Sequence, residues 1–201
     1  MNHFEVILFD LGGVLVELTG VPTMIQWSGH QYDDDGLWAA WLNSESVRSF
    51  ETGVTNASQF ADQLIDEMDL SVEKTEFLDK FTRWPQGLFP GVTGLLSDLR
   101  EQHTLACLSN TNELHWPRLM NEMGLDELLD HHFPSHTLGM LKPDLEIFEH
   151  VVQSLSCTPA SILFLDDNAI NVTSAREVGM AAYQVKGPDD VRKLCQELGD
   201  L

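Results

Sequence analysis

The sequence predicts an α/β protein: a doubly wound parallel sheet with a small helical cap inserted after the first strand. Three observations carry that expectation. The apolar runs Val6-Ile7-Leu8-Phe9 and Ile162-Leu163-Phe164-Leu165 stop abruptly at carboxylates, Asp10 in one case and Asp166-Asp167 in the other. Buried strands of a parallel sheet have this composition, and residues just past their carboxyl ends line the crevice where such sheets bind ligands. From residue 91 onward, strand-like and helix-like segments alternate with short joins, the pattern of successive βα units. Between residues 18 and 87 the apolar side chains instead recur at helical spacing,.

In chain order, Glu5–Asp10 is the first strand of the sheet. Trp27, Trp38, Trp41, Phe50, Phe60, Leu64, Phe77 and Phe81 then belong to helices, with no strand expected among them. These aromatics suit a small apolar core of the insertion. Gly53, in Phe50-Glu51-Thr52-Gly53-Val54-Thr55, interrupts the helical pattern as a turn facing the site or as an ordinary interhelical loop,. A helix over Val92–Gln102 leads to strand Thr104–Ser109, and a helix over Glu113–Met123 to a short strand near His132–Pro134. Helix Leu145–Ser154, strand Ile162–Asp166, helix Ile170–Val178, strand Ala181–Val185 and helix Asp189–Leu198 complete the pattern. The expected division is a core of residues 1–17 and 88–201 and a cap of residues 18–87, with joins near 17 and 88 as flexible points.

Composition narrows the function. The 201 residues include 11 Lys and Arg against 32 Asp and Glu, a formal charge of −21. Such a surface disfavours nucleic acid, whose binding is driven by basic side chains displacing counterions. An anionic substrate must be attracted locally, by a metal, a lysine or backbone N–H groups. The apolar runs are strand-length, so no membrane span is expected, and the first residues lack the marks of a signal peptide,. Three cysteines, Cys107, Cys157 and Cys195, without metal spacing suit free thiols and a cytoplasmic location,. The size suits a monomer or a homodimer.

Four stations carry chemistry. Asp10-Leu11-Gly12-Gly13 places an acid at a strand end, with glycines that leave the backbone open to a ligand,. An exposed carboxylate there is a competent nucleophile, or the cap of a turn. Ser109-Asn110-Thr111-Asn112 ends the next strand before a helix, where anions or a simple N-cap fit,. In Leu141-Lys142-Pro143-Asp144 the proline suits a first helical turn and holds Lys142 extended, aiming an ammonium into the crevice,. Asp166-Asp167-Asn168, with Asn171 one turn on, sets two acids side by side, and Mg²⁺ would offset their repulsion,.

Strand-Asp, strand-Ser, Lys-Pro and strand-Asp-Asp in this order resemble the haloacid dehalogenase superfamily over nearly the whole chain. The resemblance implies a Rossmann-like hydrolase core with a cap, Asp10 as nucleophile, Ser109 on the transferring phosphoryl group and Lys142 neutralising it. It implies Mg²⁺ as cofactor, held by Asp10, the Gly12 carbonyl and Asp167, with Asp166 supporting or bound through water. Asn110, Glu51 and Gly53 are candidate substrate-binding residues. The finer text Ser109-Asn110-Thr111-Asn112-Glu113-Leu114-His115 and Leu138-Gly139-Met140-Leu141-Lys142-Pro143 is similar to alpha-D-glucose-1-phosphate phosphatases and the phosphatase-like domain of epoxide hydrolases. The implied partner is a small phosphate ester, a sugar phosphate first.

One departure stands out. Most phosphatases of this superfamily carry a second Asp two residues after the nucleophile, as proton donor to the leaving oxygen; this chain has Gly12. Losing such help costs on the order of 10²–10⁴-fold in rate. Glu17, His115 and Glu51 are candidate replacements, His115 foremost for its near-neutral ordinary pKa. A substrate with a good leaving group, or a slow enzyme, would also fit. The rival readings are a metal-independent 2-haloacid dehalogenase and a phosphate-ester binding module.

Overall fold

The structure, a computed structural model, describes residues 4–200. Five strands form one parallel sheet: Val6–Phe9 (β1), Thr104–Ser109 (β4), His131–Pro134 (β5), Ile162–Asp166 (β6) and Ala181–Gln184 (β7). Their order is β5-β4-β1-β6-β7, all neighbours parallel. The apolar runs earn those central places because both faces are covered. Ile7, Phe9, Leu105, Cys107, Leu163 and Leu165 pack with Val92, Leu95, Leu96 and Leu99 of helix Val92–Arg100 (α6) and with Val191 and Cys195 of Gly187–Leu198 (α11). The alternate residues Val6, Leu8, Ala106, Leu108, Ile162 and Phe164 pack with Leu145–Leu155 (α9) and Ala169–Glu177 (α10). Alternation along each strand thus fills two cores on opposite faces.

Five helices follow the first strand: Val21–Trp27 (α1), Asp34–Asn43 (α2), Glu45–Glu51 (α3), Ala57–Glu67 (α4) and Lys74–Thr82 (α5). They close on their own core, in which Phe50 stacks on Phe60 at 4.3 Å and Phe77 on Phe81 at 5.6 Å. Trp38 departs from the expected core, being 42% exposed. Asn56 starts α4 through a reciprocal cap with Gln59, a signal present in the sequence.

The expectation of no strand between 18 and 87 is corrected. Val16–Leu18 (β2) and Pro85–Leu88 (β3) form an antiparallel ribbon, with Val16 opposite Leu88 and Glu17 opposite Gly87. Paired backbone therefore links the two joins, near 17 and 88, at which the insertion leaves and re-enters the core. Pro and Gly within β3 hid it, since both are poor strand residues that an edge pair tolerates.

The helix expected over Glu113–Met123 is also corrected. Asn112 Oδ1 accepts from the N–H groups of both Leu114 and His115 at 3.1 Å, holding residues 113–115 as a turn. Helical backbone follows, with a π-helical stretch over Arg118–Glu122 in which the Met123 N–H donates to the Arg118 carbonyl. Short helices Leu125–Leu128 (α7) and Ser135–Leu138 (α8) flank β5. No helix among the described residues is long and apolar enough to cross a membrane.

Candidate active site

Sheet order alone assembles most of the site. β1 lies between β4 and β6, so Asp10, Ser109 and Asp166 emerge at the carboxyl ends of three adjacent strands. The Asp10 N–H donates to the Leu165 carbonyl at 2.8 Å, so the backbone stays in register with β6 while the side chain leaves the sheet. Ser109 is buried at the end of β4, its Oγ making only a 3.4 Å contact to the Asn110 carbonyl.

Lys142 arrives from the far side of β4 and is fixed by Asn110. Its N–H donates to Asn110 Oδ1, and Asn110 Nδ2 donates back to the Lys142 carbonyl, both at 2.8 Å. The Asn110 side chain is thereby committed to the lysine backbone. Pro143 does not enter a helical turn as expected: Asp144 N–H bonds to the Leu141 carbonyl across a turn, and α9 starts at Leu145. The ammonium donates to Asp10 Oδ1 at 2.8 Å and to Asp166 Oδ2 at 2.6 Å. Asp166 is fully buried and accepts also from Asn171 Nδ2 at 3.0 Å and the Asn168 N–H at 2.7 Å. That satisfaction is what makes a buried carboxylate tolerable.

Asp167, half-buried, lies against Gly13. Gly13 has φ +73°, and a Cβ there would fall 2.3 Å from Asp167 Oδ2, so only glycine fits. Oxygens of Asp10, Asp166 and Asp167 lie within 4.8 Å of one another. Burial pushes Asp10 up to about 7, with Asp166 and Asp167 adding to the rise and Lys142 opposing it. Burial and Asp166 likewise push Asp167 up to about 6. Burial works against the charge of Lys142, yet Asp10 and Asp166 outweigh it and hold the ammonium above its ordinary value. Three carboxylates facing one ammonium form an oxygen-rich, under-neutralised cluster that suits a hard divalent cation.

The helical insertion is seated beside this cluster through α3 and the residues that follow it. Arg48 pairs with Asp144, two residues beyond Lys142, and the Ala57 N–H donates to Glu113 Oε1 at 2.7 Å. Gly53, φ +73°, rests on the His136 carbonyl, which an added Cβ would approach to 2.3 Å; it sits at the seam between insertion and sheet. Glu51, the last residue of α3, is half-buried and hydrogen-bonded to the Trp41 side chain. Burial pushes it up to about 8; Asp10 adds to the rise, and Lys142 and Trp41 oppose it.

His115 is displaced from the foremost place among proton donors. Its Nε2 donates to the Phe81 carbonyl at 2.7 Å, Nδ1 lies 3.2 Å from Asn112 Nδ2, and the ring stacks on Phe81 at 4.4 Å. Burial pushes it down to about 4, leaving a neutral imidazole that packs sheet against insertion. Glu17 lies exposed on the ribbon. Gly12 is crowded by the ribbon as well, since a Cβ on it would meet Leu18 Cδ1 at 2.8 Å. Leu18, Gly13 and Trp41 escaped the sequence reading as site residues. The doubled glycine was the available sign for Gly13, whereas Trp41 read as core and Leu18 carried no sign at all.

Comparison with known proteins agrees with this geometry. Residues 4–179 match the haloacid dehalogenase-like hydrolase family. The chain is 30% identical over 202 residues to the sesquiterpene phosphatase astK of Aspergillus oryzae, covering 98% of this chain and 96% of that one. It is 27% identical over 200 residues to the D-ribitol-5-phosphate phosphatase of Bacteroides thetaiotaomicron, covering 93% and 94%. The fold matches a haloacid dehalogenase family enzyme of Bacteroides thetaiotaomicron, crystallised with magnesium and inorganic phosphate, at TM-score 0.77 and 24% identity over 95% of this chain and 98% of that one. With the strand order, the carboxylate cluster and the lysine in place, the chain belongs to the haloacid dehalogenase-like hydrolases.

Proposed function

We propose that this protein is a Mg²⁺-dependent phosphomonoester hydrolase that works through a phosphoryl group carried on Asp10, with a small sugar phosphate as substrate. The observation that carries the reading is the meeting of Asp10, Asp166 and Asp167, the first two paired with the Lys142 ammonium. Mg²⁺ would be held by Asp10, Asp167 and the Gly12 carbonyl, with Asp166 behind them. When bound, the ion offsets the carboxylate charge and polarises the phosphoryl oxygens.

The chain's own groups supply the rest. The Asp10 carboxylate attacks phosphorus and the ester oxygen departs; water then attacks the phosphorus of the aspartyl-phosphate, releasing phosphate and restoring Asp10. Ser109 offers its hydroxyl to a phosphoryl oxygen, and Lys142 balances the charge that gathers there. On a surface of formal charge −21, these groups and the ion must draw the phosphate in against the field of the molecule. The insertion acts as a cap, with α3 nearest the chemistry.

The two phosphatase relatives by name support phosphoryl transfer, and the D-ribitol-5-phosphate phosphatase favours a polyol or sugar ester. A less polar ester is the second reading, favoured by Leu18 standing 43% exposed beside Gly12. The deciding experiment is phosphate release from sugar phosphates, polyol phosphates and an allylic monophosphate, with Mg²⁺ or with chelator. Activity that survives chelation overturns the metal assignment. Halide release from 2-haloacids without phosphate release would make it a dehalogenase, and turnover of neither class would leave a binding module.

A further inference from the structure

We infer that the Glu51 carboxyl delivers the proton to the departing ester oxygen and then takes one from the attacking water, in place of the acid missing at Gly12. The inference rests on the phosphatase reading and adds a catalytic residue to it.

The missing acid is a matter of residue type: glycine at 12 has no group to give a proton. A Cβ there would meet Leu18 Cδ1, the end of an exposed side chain, at 2.8 Å. Leu18 belongs to β2, whose pairing with β3 fixes the ribbon beside the first station. Proton transfer therefore has to come from another direction. The insertion provides that direction through α3, seated on the sheet by Arg48 against Asp144 and by the close approach of Gly53 to the His136 carbonyl.

α3 ends at Glu51, between Arg48 on Asp144 and Gly53 on the His136 carbonyl, and the Glu51 carboxyl feels both Lys142 and Asp10, the two groups that would hold the phosphoryl centre. Trp41 is its neighbour within the insertion, and the Trp41 ring stacks on Phe81 at 6.0 Å and packs on Trp84 at 5.3 Å. An acid retained in neutral form near pH 7 is ready to donate, and burial pushes Glu51 up to about 8,. His115 and Glu17 do not compete, one stacked on Phe81 with both ring nitrogens engaged, the other in solvent.

The steps balance. As the Asp10–phosphorus bond forms, the bond from phosphorus to the ester oxygen breaks. The Glu51 proton passes to that oxygen, giving a neutral alcohol and a Glu51 carboxylate. Once the alcohol leaves, water occupies its place and attacks phosphorus. Its proton goes to Glu51, the bond to Asp10 breaks, and both acids return to their starting states.

The test compares two esters in wild type and Glu51→Gln: glycerol 3-phosphate, whose alkoxide needs a proton, and p-nitrophenyl phosphate, whose phenolate departs unaided. With Glu51→Gln, kcat/KM for glycerol 3-phosphate should fall on the order of 10²–10⁴-fold, the range typical of a lost acid catalyst. For p-nitrophenyl phosphate it should fall by less than about 10-fold, because leaving-group protonation contributes little there. Water activation is impaired with either ester. Nitrophenol should then appear as a burst of about one equivalent per enzyme before slow turnover, the mark of an accumulating intermediate. Equal losses for both esters, or an unchanged kcat/KM for glycerol 3-phosphate, overturn the assignment. A wild-type protein inert toward both esters with Mg²⁺ overturns the phosphatase reading instead, so the two failures are distinct.

Discussion

The Lys142 ammonium lies 2.6 Å from Asp166 Oδ2 and nowhere meets solvent freely, its side chain being 2% exposed and that of Asp166 0%. Each is tolerable inside the protein only because of the other. Lys142→Met should therefore abolish turnover and destabilise the fold by about 3–5 kcal/mol, the cost of leaving a buried charge without its partner. Urea unfolding checks this. The loss should shrink toward about pH 5, where Asp10, pushed up to about 7, takes a proton and relieves the abandoned charge,; a loss independent of pH would contradict the pairing.

Asp10 and Asp167, pushed up to about 7 and about 6, bind more protons folded than unfolded. Their contribution to stability is complete below about pH 4 and disappears as pH rises through 6 and 7, where both ionise side by side. A cation at that place substitutes for the protons. The rise in melting temperature on adding Mg²⁺ to chelator-treated protein should accordingly be small near pH 5 and large near pH 8. Thermal scans with and without chelator at both pH values measure it.

Gly13→Ala should weaken Mg²⁺ binding more than it weakens the fold. The added Cβ meets Asp167 Oδ2 at 2.3 Å in a backbone with φ +73°. The left-handed conformation costs a non-glycine residue about 1–2 kcal/mol, and Asp167 must turn away. Titration of Mg²⁺ against the melting temperature separates the two effects.

His115→Gln tests the opposite expectation. His115 is neutral, with burial pushing it down to about 4, and its ring links Phe81 to Asn112. Losing the bond to the Phe81 carbonyl should cost about 1 kcal/mol of stability, visible in urea unfolding. The pH–rate profile should keep its wild-type midpoints; a midpoint lost with His115 would restore it as a proton-transfer group.

The elements of the sheet were readable because each depends on local composition. Thr104–Ser109 and Ile162–Asp166 fall where the apolar runs place them, since a strand covered on both faces must be apolar throughout. Asp10, Ser109 and Asp166 were readable for the same reason, as polar groups breaking those runs at their ends, whereas Lys142 was marked by the proline that follows it. What escaped depends on pairings remote in the chain. The β2–β3 ribbon joins residues near 17 to residues near 87, and neither partner shows strand composition alone. Asn112 caps the turn before the π-helical stretch, its Oδ1 taking the N–H groups of Leu114 and His115, which no local apolar pattern announces. Likewise the commitment of Asn110 to Lys142, 32 residues away, leaves no trace in local pattern.

Because Val16 faces Leu88 across that ribbon, the chain departs from the sheet and returns to it at neighbouring points, about 5 Å apart. To the five-stranded sheet, everything between is one side loop. Asp10, the proposed nucleophile, and Lys142 are encoded on either side of the loop, whereas Glu51 and Trp41 are encoded within it. On the roles proposed above, exchange of that one segment between related genes would move substrate fit and proton transfer together, in a single step, and leave the strand that carries Asp10 untouched.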